Sequence, residues 1–223
     1  QVEPPSRIAG VILVGIFDET LIAEYAQAGY PVVCVDFWSR HPAVDCVVVD
    51  CFNEGQVAAE TLLELGHRRL FFLGNLTGRD QYRRPEPDAE LFEAGMSRRL
   101  AQAGLTLDPR HVHYCARTAG SVDAVLDRWF ATLDPRPTAG VVFDIGTCRA
   151  FRDGLIARGY KVPRQVSVIG KTLLGPAIDM TAVATDAHAL GEMAIDLLLD
   201  RAVGHRRTAV RAAIPSTIVH RPG

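Results

Sequence analysis

Short apolar runs alternate with helix-period segments along this chain, and this alternation constrains the fold more than any other feature. The predicted strands are Ala9–Val14, Val32–Val35, Cys46–Val49, Leu70–Leu73, His113–Cys115, Gly140–Phe143 and Val166–Ile169. Most are continuously apolar, as expected for parallel strands covered on both faces. Strands that alternate with helices predict an α/β fold with parallel sheets.

Two segments between or after these strands have the apolar period of an amphipathic helix. Their stripes are Val122, Val125, Leu126, Trp129 and Phe130 in the first and Leu190, Met193, Ala194, Leu197 and Leu198 in the second. Because Trp129 and Phe130 lie on a stripe, they are predicted to be core residues rather than rings that stack on a ligand. Glycines such as Gly29, Gly66 and Gly159 follow helical segments, where they are expected to form left-handed caps.

Composition argues against several classes of partner. The 223 residues are 48% hydrophobic and 22% charged with a net charge of −2, so nucleic acid and anionic membrane are not expected as direct partners. The five cysteines are odd in number and form no metal-ligand spacing, so free thiols in a reducing cytoplasm, no metal and no cofactor are expected. The longest apolar run, residues 8–17, is shorter than the roughly 20 residues of a membrane span, and no signal peptide is recognised.

The tripeptide Gly170-Lys171-Thr172 matches the end of a nucleotide-binding P-loop. A P-loop also needs an earlier glycine, and Gln165 stands in its place. Gly175 and Pro176 follow, so no helix N-terminus is available at once to hold phosphate. We therefore predict a strand that ends at a glycine, without specific ATP or GTP binding at Lys171.

Aspartates at predicted strand ends are the first candidates for ligand contact. Asp36, Asp50 and Asp144 each follow a strand, and open α/β sheets bind ligands beyond the carboxyl ends of their strands. Each could equally cap the next helix. His67 is predicted to be a cation at a helix end rather than a catalytic base. The sequence contains no nucleophile elbow or Cys/His arrangement, which disfavours an enzyme.

Several long blocks carry a family likeness. They are "GYPVVCVDFWSRHPAVDCVVVDCFNEGQVAAETLLELGHRRLFFLGN", "PTAGVVFDIGTCRAFRDGLIARGYKVPRQVSVIG", "MTAVATDAHALGEMAIDLLLDRAVG" and "IPSTIVHRPG". In order and spacing they resemble the sensor core of LacI/GalR-type transcriptional regulators. The resemblance implies a periplasmic-binding-protein type I fold, with two α/β subdomains joined by three crossovers and a small effector in the cleft between them. It assigns residues 1–50 and 184–211 to the first subdomain, and residues 51–183 and 212–223 to the second.

The resemblance also shows what this sequence lacks. The family's core opens with two further βα units before the strand at Ala9–Val14, and a helix-turn-helix precedes those units. Strands buried in parallel sheets do not tolerate the loss of their neighbours, so a truncated first subdomain, in a fragment of a longer chain, is expected rather than a natural loss.

The residues at the family's ligand-contact positions depart from its common pattern. By resemblance these positions are Asp36, Phe92, Thr118, Asp144, Thr172 and Thr185. Asp36 is retained, but Phe92 replaces an arginine whose five donors it cannot supply. Asp144-Ile145 stands for a common Asn-Asp, and Lys171-Thr172 for an aromatic and an aspartate. The long connection before Gly95 could supply Arg79, Tyr82 or Arg83 instead; the alternative is a mobile surface loop.

These observations predict the effector-binding and dimerisation core of a LacI-type transcription regulator, as a homodimer that reaches operator DNA only through a domain missing from this chain. The alternatives are a transporter's solute-binding protein of the same fold and, less favoured, an enzyme. Each buried unpaired hydroxyl costs about 1–3 kcal/mol, so the lost partners predict weak binding of plain hexoses and pentoses. The expected ligand joins an apolar body to a donor or cationic group, with sugar derivatives among the candidates.

Overall fold

The computed structural model describes residues 8–16, 18–78, 83–132, 134–173 and 179–220. Its strands are β1 Val11–Val14, β2 Val32–Val35, β3 Asp45–Val49, β4 Leu70–Thr77, β5 Arg84–Pro85, β6 Val112–Cys115, β7 Ala139–Val142, β8 Ser167–Leu173, β9 Ala182–Thr185, β10 Arg211–Ile214 and β11 Ser216–Val219. Its helices are α1 Glu19–Gln27, α2 Cys51–Glu64, α3 Pro87–Gln102, α4 Ala119–Asp127, α5 Ile145–Ala157 and α6 Ala187–Ala202. Every strand predicted from the sequence overlaps an observed one, and the α/β fold with parallel sheets is confirmed.

The chain folds into two compact units. The first contains residues 1–50 and 186–215, and the second contains residues 51–185 and 216–223. The chain therefore passes between the units three times, after Asp50, Thr185 and Pro215.

The last of these passages differs from the expected boundary. The sequence placed residues 212–223 together in the second subdomain, but β10 pairs with β3 of the first unit and only β11 pairs with β9 of the second. Pro215 separates the two strands and has no backbone N–H with which to continue a ladder. The end of β9, residues 184 and 185, belongs to the second unit although the prediction assigned it to the first.

The first unit is built on a parallel sheet with the order β1-β2-β3-β10 in the described residues. Helix α1 begins at the cap residue Asp18, whose carboxylate accepts from the backbone N–H groups of Thr20 and Leu21. The chain turns after this helix at Gly29, where φ is +88° and a side chain would be strained. Ile22 of α1 packs with Val32 and Cys34 of β2, with Cys46 of β3 and with Val44 just before it.

In the second unit β4 pairs in parallel with both β6 and β7, and β8 and β9 follow β7 in parallel. Strand β11 closes the sheet beyond β9 in antiparallel direction. Trp129 and Phe130 are buried with Phe71 and Phe151, which confirms their prediction as core residues. Fully burying one such ring contributes about 1.5–3 kcal/mol to folding.

His67 lies beside the first residues of β7 and β8, and its surroundings differ from those predicted for a cation at a helix end. Its ring nitrogens lie 3.1 Å from Thr138 Oγ1 and 3.0 Å from Ser167 Oγ, so it connects the starts of β7 and β8. Burial lowers the pKa of His67 below its ordinary value, which favours the neutral ring over the expected cation.

Candidate functional site

Two of the predicted ligand residues meet at the carboxyl edge of the second unit's sheet. Thr118 follows β6 and Asp144 follows β7, and the helices α4 and α5 begin at these residues. Together with Arg117, they line a cavity of about 170 Å³. The cavity's apolar lining comes from Val122 and Ala150. This edge is where open α/β sheets place ligands.

Asp144 is a helix cap as well as a cavity residue. Its Oδ1 accepts from the backbone N–H of Thr147 at 2.8 Å and from Thr147 Oγ1 at 3.0 Å. The capping alternative drawn from the sequence is therefore the observed one. A ligand group at Asp144 would meet a carboxylate whose orientation is already set by the helix.

Thr118 is likewise both a helix cap and a cavity residue. Its Oγ1 accepts from the backbone N–H of Ser121 at 3.4 Å and lies 2.8 Å from Ser121 Oγ. Two helix N-termini thus begin beside one cavity, and their first-turn N–H groups favour oxygen acceptors there.

Arg117 is the functional candidate that the sequence reasoning missed. Its Nη2 is 2.7 Å from Glu86 Oε2. With the amide of Asn75 oriented to satisfy its neighbours, Asn75 Oδ1 accepts from Arg117 Nε and Nη2 at 3.1 and 3.2 Å. Arg117 lies two residues beyond the predicted strand His113–Cys115, so the rule that selected the aspartates would have found it had it extended past the first residue after the strand. These partners fix a guanidinium at the cavity.

Phe92 does not line open space in the second unit. It is fully buried, with its ring centre 5.8 Å from that of Phe72 and 5.5 Å from that of Phe143. Helix α3 directs Ala89, Phe92 and Met96 into the core. Phe92 is a ligand-contact position by resemblance, but here it does not provide an apolar face to a ligand, because its neighbours cover the ring completely.

Lys171, Thr172 and Thr185 lie on the neighbouring strands β8 and β9. Lys171 Nζ is 3.7 Å from Glu54 Oε2 and 4.9 Å from the ring centre of Phe143. Thr172 Oγ1 donates to the backbone carbonyl of Leu173 at 3.1 Å. Strand β8 runs through all of Gly170-Lys171-Thr172, so these residues form strand and not a phosphate loop. The absence of ATP and GTP binding stays a prediction.

Thr185 is buried within the protein. It is fully buried and donates from Oγ1 to Glu54 Oε1 at 2.9 Å. Its hydroxyl lies 2.6 Å from that of Ser216. The side chain is therefore in contact with Glu54 and Ser216.

The remaining predicted site residues are Asp36, Arg79, Tyr82 and Arg83. Asp36 is an exposed residue of the first unit; it has φ of +62°, and its backbone N–H donates to Val47 O at 2.9 Å. Arg83 is exposed before β5, whereas Arg79 and Tyr82 lie outside the described residues.

The described parts of the chain contain neither a metal cluster nor a membrane-spanning helix. Across residues 8–220, gaps excepted, no three His, Cys, Asp or Glu side chains are grouped to hold a metal ion. In the same ranges no helix has the length and apolarity that crossing a membrane requires. All five cysteines are buried, and none of them forms a disulfide.

Comparison with known proteins shows the family to which the chain belongs. The model of the periplasmic binding protein-like domain family matches residues 59–222, and the chain belongs to this family. Among curated proteins it is 23% identical over 230 residues to the HTH-type transcriptional repressor PurR of Glaesserella parasuis, covering 97% of this chain and 63% of that protein. It is 28% identical over 205 residues to PurR of Erwinia tasmaniensis, covering 86% and 55%.

Among solved structures, transcriptional regulators are similar to this chain in fold. A LacI transcriptional regulator from a Rhodococcus species is 25% identical with a TM-score of 0.80, covering 97% of this chain and 78% of that one. The transcriptional regulator CelR in complex with cellobiose is 24% identical with a TM-score of 0.74, covering 95% and 64%. The predicted resemblance to the effector-binding core of LacI-family regulators is confirmed. The chain spans less than two thirds of the length of the curated relatives described.

Proposed function

We propose that this chain is the effector-sensing and dimerisation core of a cytoplasmic LacI-type transcription regulator. The observation that carries the proposal is the cavity lined by Arg117, Thr118 and Asp144 at the carboxyl edge of the second unit, in a chain similar to transcriptional repressors. Effector binding would change the populations of two arrangements of the units, and a DNA-binding domain beyond this chain would convert that change into operator affinity. The proposal includes no catalytic role and no cofactor.

The cavity supports a restricted class of effector. Its volume of about 170 Å³ is below the roughly 300–1,000 Å³ of complete ligand pockets, so it fits one group of a ligand rather than the whole molecule. Asp144 offers an acceptor, Arg117 offers donors, and Val122 and Ala150 offer apolar contact. We propose an effector that presents a donor or cationic group to Asp144, an oxygen acceptor to Arg117, and an apolar body.

Plain hexoses and pentoses are expected to bind weakly, because their many hydroxyls would find few partners at this cavity. A thermal-shift screen of monosaccharides, amino acids, amines and nucleosides on the full-length protein measures this. A ligand of the proposed class should raise the unfolding midpoint in a saturable way, and Arg117→Met should remove most of that rise. Arg136→Met is the control, since Arg136 bonds Tyr160 away from this cavity and should leave the rise unchanged.

Two results would separate failure of the ligand class from failure of the function. A saturable shift by an unmodified hexose that Arg117→Met abolishes would overturn the ligand class alone. A complete reading frame that opens with a secretory signal peptide, in place of a helix-turn-helix, would overturn the regulatory function.

A further inference from the structure

One buried carboxylate lies beside one passage of the chain between the units and contacts residues beside the other two. Glu54 lies in the first turn of α2, just after the passage at Asp50. Thr185 ends β9 immediately before the second passage, and Ser216 begins β11 immediately after the third. Thr185 Oγ1 donates to Glu54 Oε1 at 2.9 Å, and Ser216 Oγ donates to the same oxygen at 2.6 Å. All three residues belong to the second unit.

The cluster binds one of the two oxygens of a carboxylate that has lost its hydration. Glu54 is 0% exposed, and such a group is stable in a fold only when hydrogen bonds and a counter-charge offset the lost water. The hydroxyls bind Oε1, and Lys171 Nζ stands 3.7 Å from Oε2, within ion-pair range but beyond a hydrogen bond. The hydroxyl contacts are therefore the short, directional part of the cluster.

We propose that Glu54 is a positioning residue that fastens the three connecting segments to one another within the second unit. Residues 54, 185 and 216 are far apart in sequence, and these hydrogen bonds join them at a single acceptor oxygen. Because these bonds hold residues 54, 185 and 216 together, the chain enters and leaves the second unit at fixed points. A change of orientation between the units must then come from backbone rotation outside this cluster. The proposal goes beyond the sensing function and is independent of the effector's identity.

Hydrogen–deuterium exchange of the full chain, read by mass spectrometry, tests the proposal without a ligand. Glu54→Met keeps the side chain's length but removes the acceptor. We expect exchange to become about tenfold faster in three separate peptides, covering the second turn of α2, the end of β9 and the start of β11. Glu54→Gln retains an acceptor oxygen and should restore slow exchange in all three.

Matched controls separate fastening from general loosening. Glu60→Met changes a half-exposed glutamate of the same helix, paired with Arg99, and should leave β9 and β11 unchanged. Ser216→Ala removes one of the two bonds to Glu54 and should accelerate exchange at the start of β11 and in α2, whereas Thr217→Ala, at an exposed neighbour on the same strand, should not. If Glu54→Met does not fold, the Ser216 and Thr217 pair decides.

Three results would overturn the proposal. One is faster exchange confined to α2 in Glu54→Met, or to β11 in Ser216→Ala. Another is an equal increase throughout the second unit, including β7, which would indicate loss of global stability. The last is failure of Glu54→Gln to restore slow exchange while the protein remains folded.

Discussion

At the residue scale, burial and fixed partners decide which side chains of the second unit can meet a ligand. The Arg117 side chain is 52% exposed and is held by Glu86 and Asn75, so its guanidinium is oriented before any ligand arrives. Phe92 is 0% exposed and contributes to packing instead. A planar guanidinium with fixed orientation loses little freedom on binding, which favours recognition of oxygen acceptors.

Asp45 in the first unit illustrates the cost of breaking a buried ion pair. It is fully buried, with Arg206 Nη1 and Nη2 at 2.7 and 2.9 Å and Arg201 Nε at 3.2 Å. Asp45→Asn should lower the free energy of unfolding by about 3–5 kcal/mol, because it leaves both guanidiniums without their counter-charge. Thermal and urea unfolding measure the loss.

Glu192→Gln is the control for Asp45→Asn. Glu192 is exposed and lies 3.6 Å from His188 in the same unit, so its loss should change stability by about 0.5 kcal/mol or less. Equal effects of the two substitutions would contradict the assignment of Asp45 as a structural anchor.

The protein is expected to lose stability in mild acid because of three histidines in the second unit. Burial is the main cause that lowers the pKa of His67, His111 and His113 below the ordinary value of 6.5. The unfolded chain then binds protons at a higher pH than the fold does. Stability is therefore complete above about pH 6.5 and falls as the pH drops from there toward the folded pKa values. Unfolding midpoints measured between pH 8 and pH 5, roughly the range in which histidine titrates, follow this loss.

His67→Gln should reduce this pH dependence. Glutamine can still bond Thr138 and Ser167 but has no charge to gain, so the midpoint should fall less steeply below about pH 6.5. The same slope in wild type and His67→Gln would exclude His67 as a contributor.

At the element scale, α2 and α3 cross with their backbones in direct contact. A Cβ on Gly55 would overlap the backbone carbonyl oxygen of Phe92, and one on Gly95 would overlap that of Phe52. The two glycines therefore set the distance between these helices, and that distance allows Phe92 to reach the sheet. Backbone atoms cannot move aside as a flexible side chain can.

Gly55→Ala is expected to destabilise the protein by about 1–3 kcal/mol or more, since the added methyl has no space. Gly191→Ala in α6 is the control: an added methyl there would meet open space, and alanine favours helix by about 0.5–1 kcal/mol. Thermal unfolding should therefore shift in opposite directions for the two variants. A stabilised Gly55→Ala would show that the helices can separate without cost.

At the scale of the whole molecule, three passages of the chain connect two units that each have a sheet and a core. In proteins with connected domains, changes of orientation are taken up by backbone rotations at a few connecting residues. This connectivity suits a sensor, because a ligand with different affinity for two arrangements can shift their populations.

The full-length protein is expected to be a homodimer. Symmetric pairs are the commonest state of soluble oligomers, and the resemblance to LacI-type regulators implies side-by-side dimers. Light scattering over a wide concentration range should report twice the mass of one chain. A monomer at every concentration would contradict the dimerisation part of the proposed function.

The sequence by itself determined the features that depend on local pattern. Continuous apolar runs predicted the parallel strands, the stripe with Trp129 and Phe130 predicted core residues, and helix-ending glycines such as Gly66 adopt the expected positive φ. These features depend on backbone sterics and on a side-chain period, both of which act between near neighbours in the chain. The order of the four quoted sequence blocks also indicated the family.

Only the tertiary structure decided which side chains meet. Glu54, Thr185 and Ser216 converge although more than a hundred residues separate the first from the others, and Arg117 finds Asn75 and Glu86. The resemblance puts Phe92 at the position of a ligand-binding arginine, but the surrounding rings bury it. The position of a residue in the family's sequence pattern indicates the helix or strand on which it lies. Whether that residue binds a ligand depends on which distant side chains cover it or bond to it, and no local pattern contains that information.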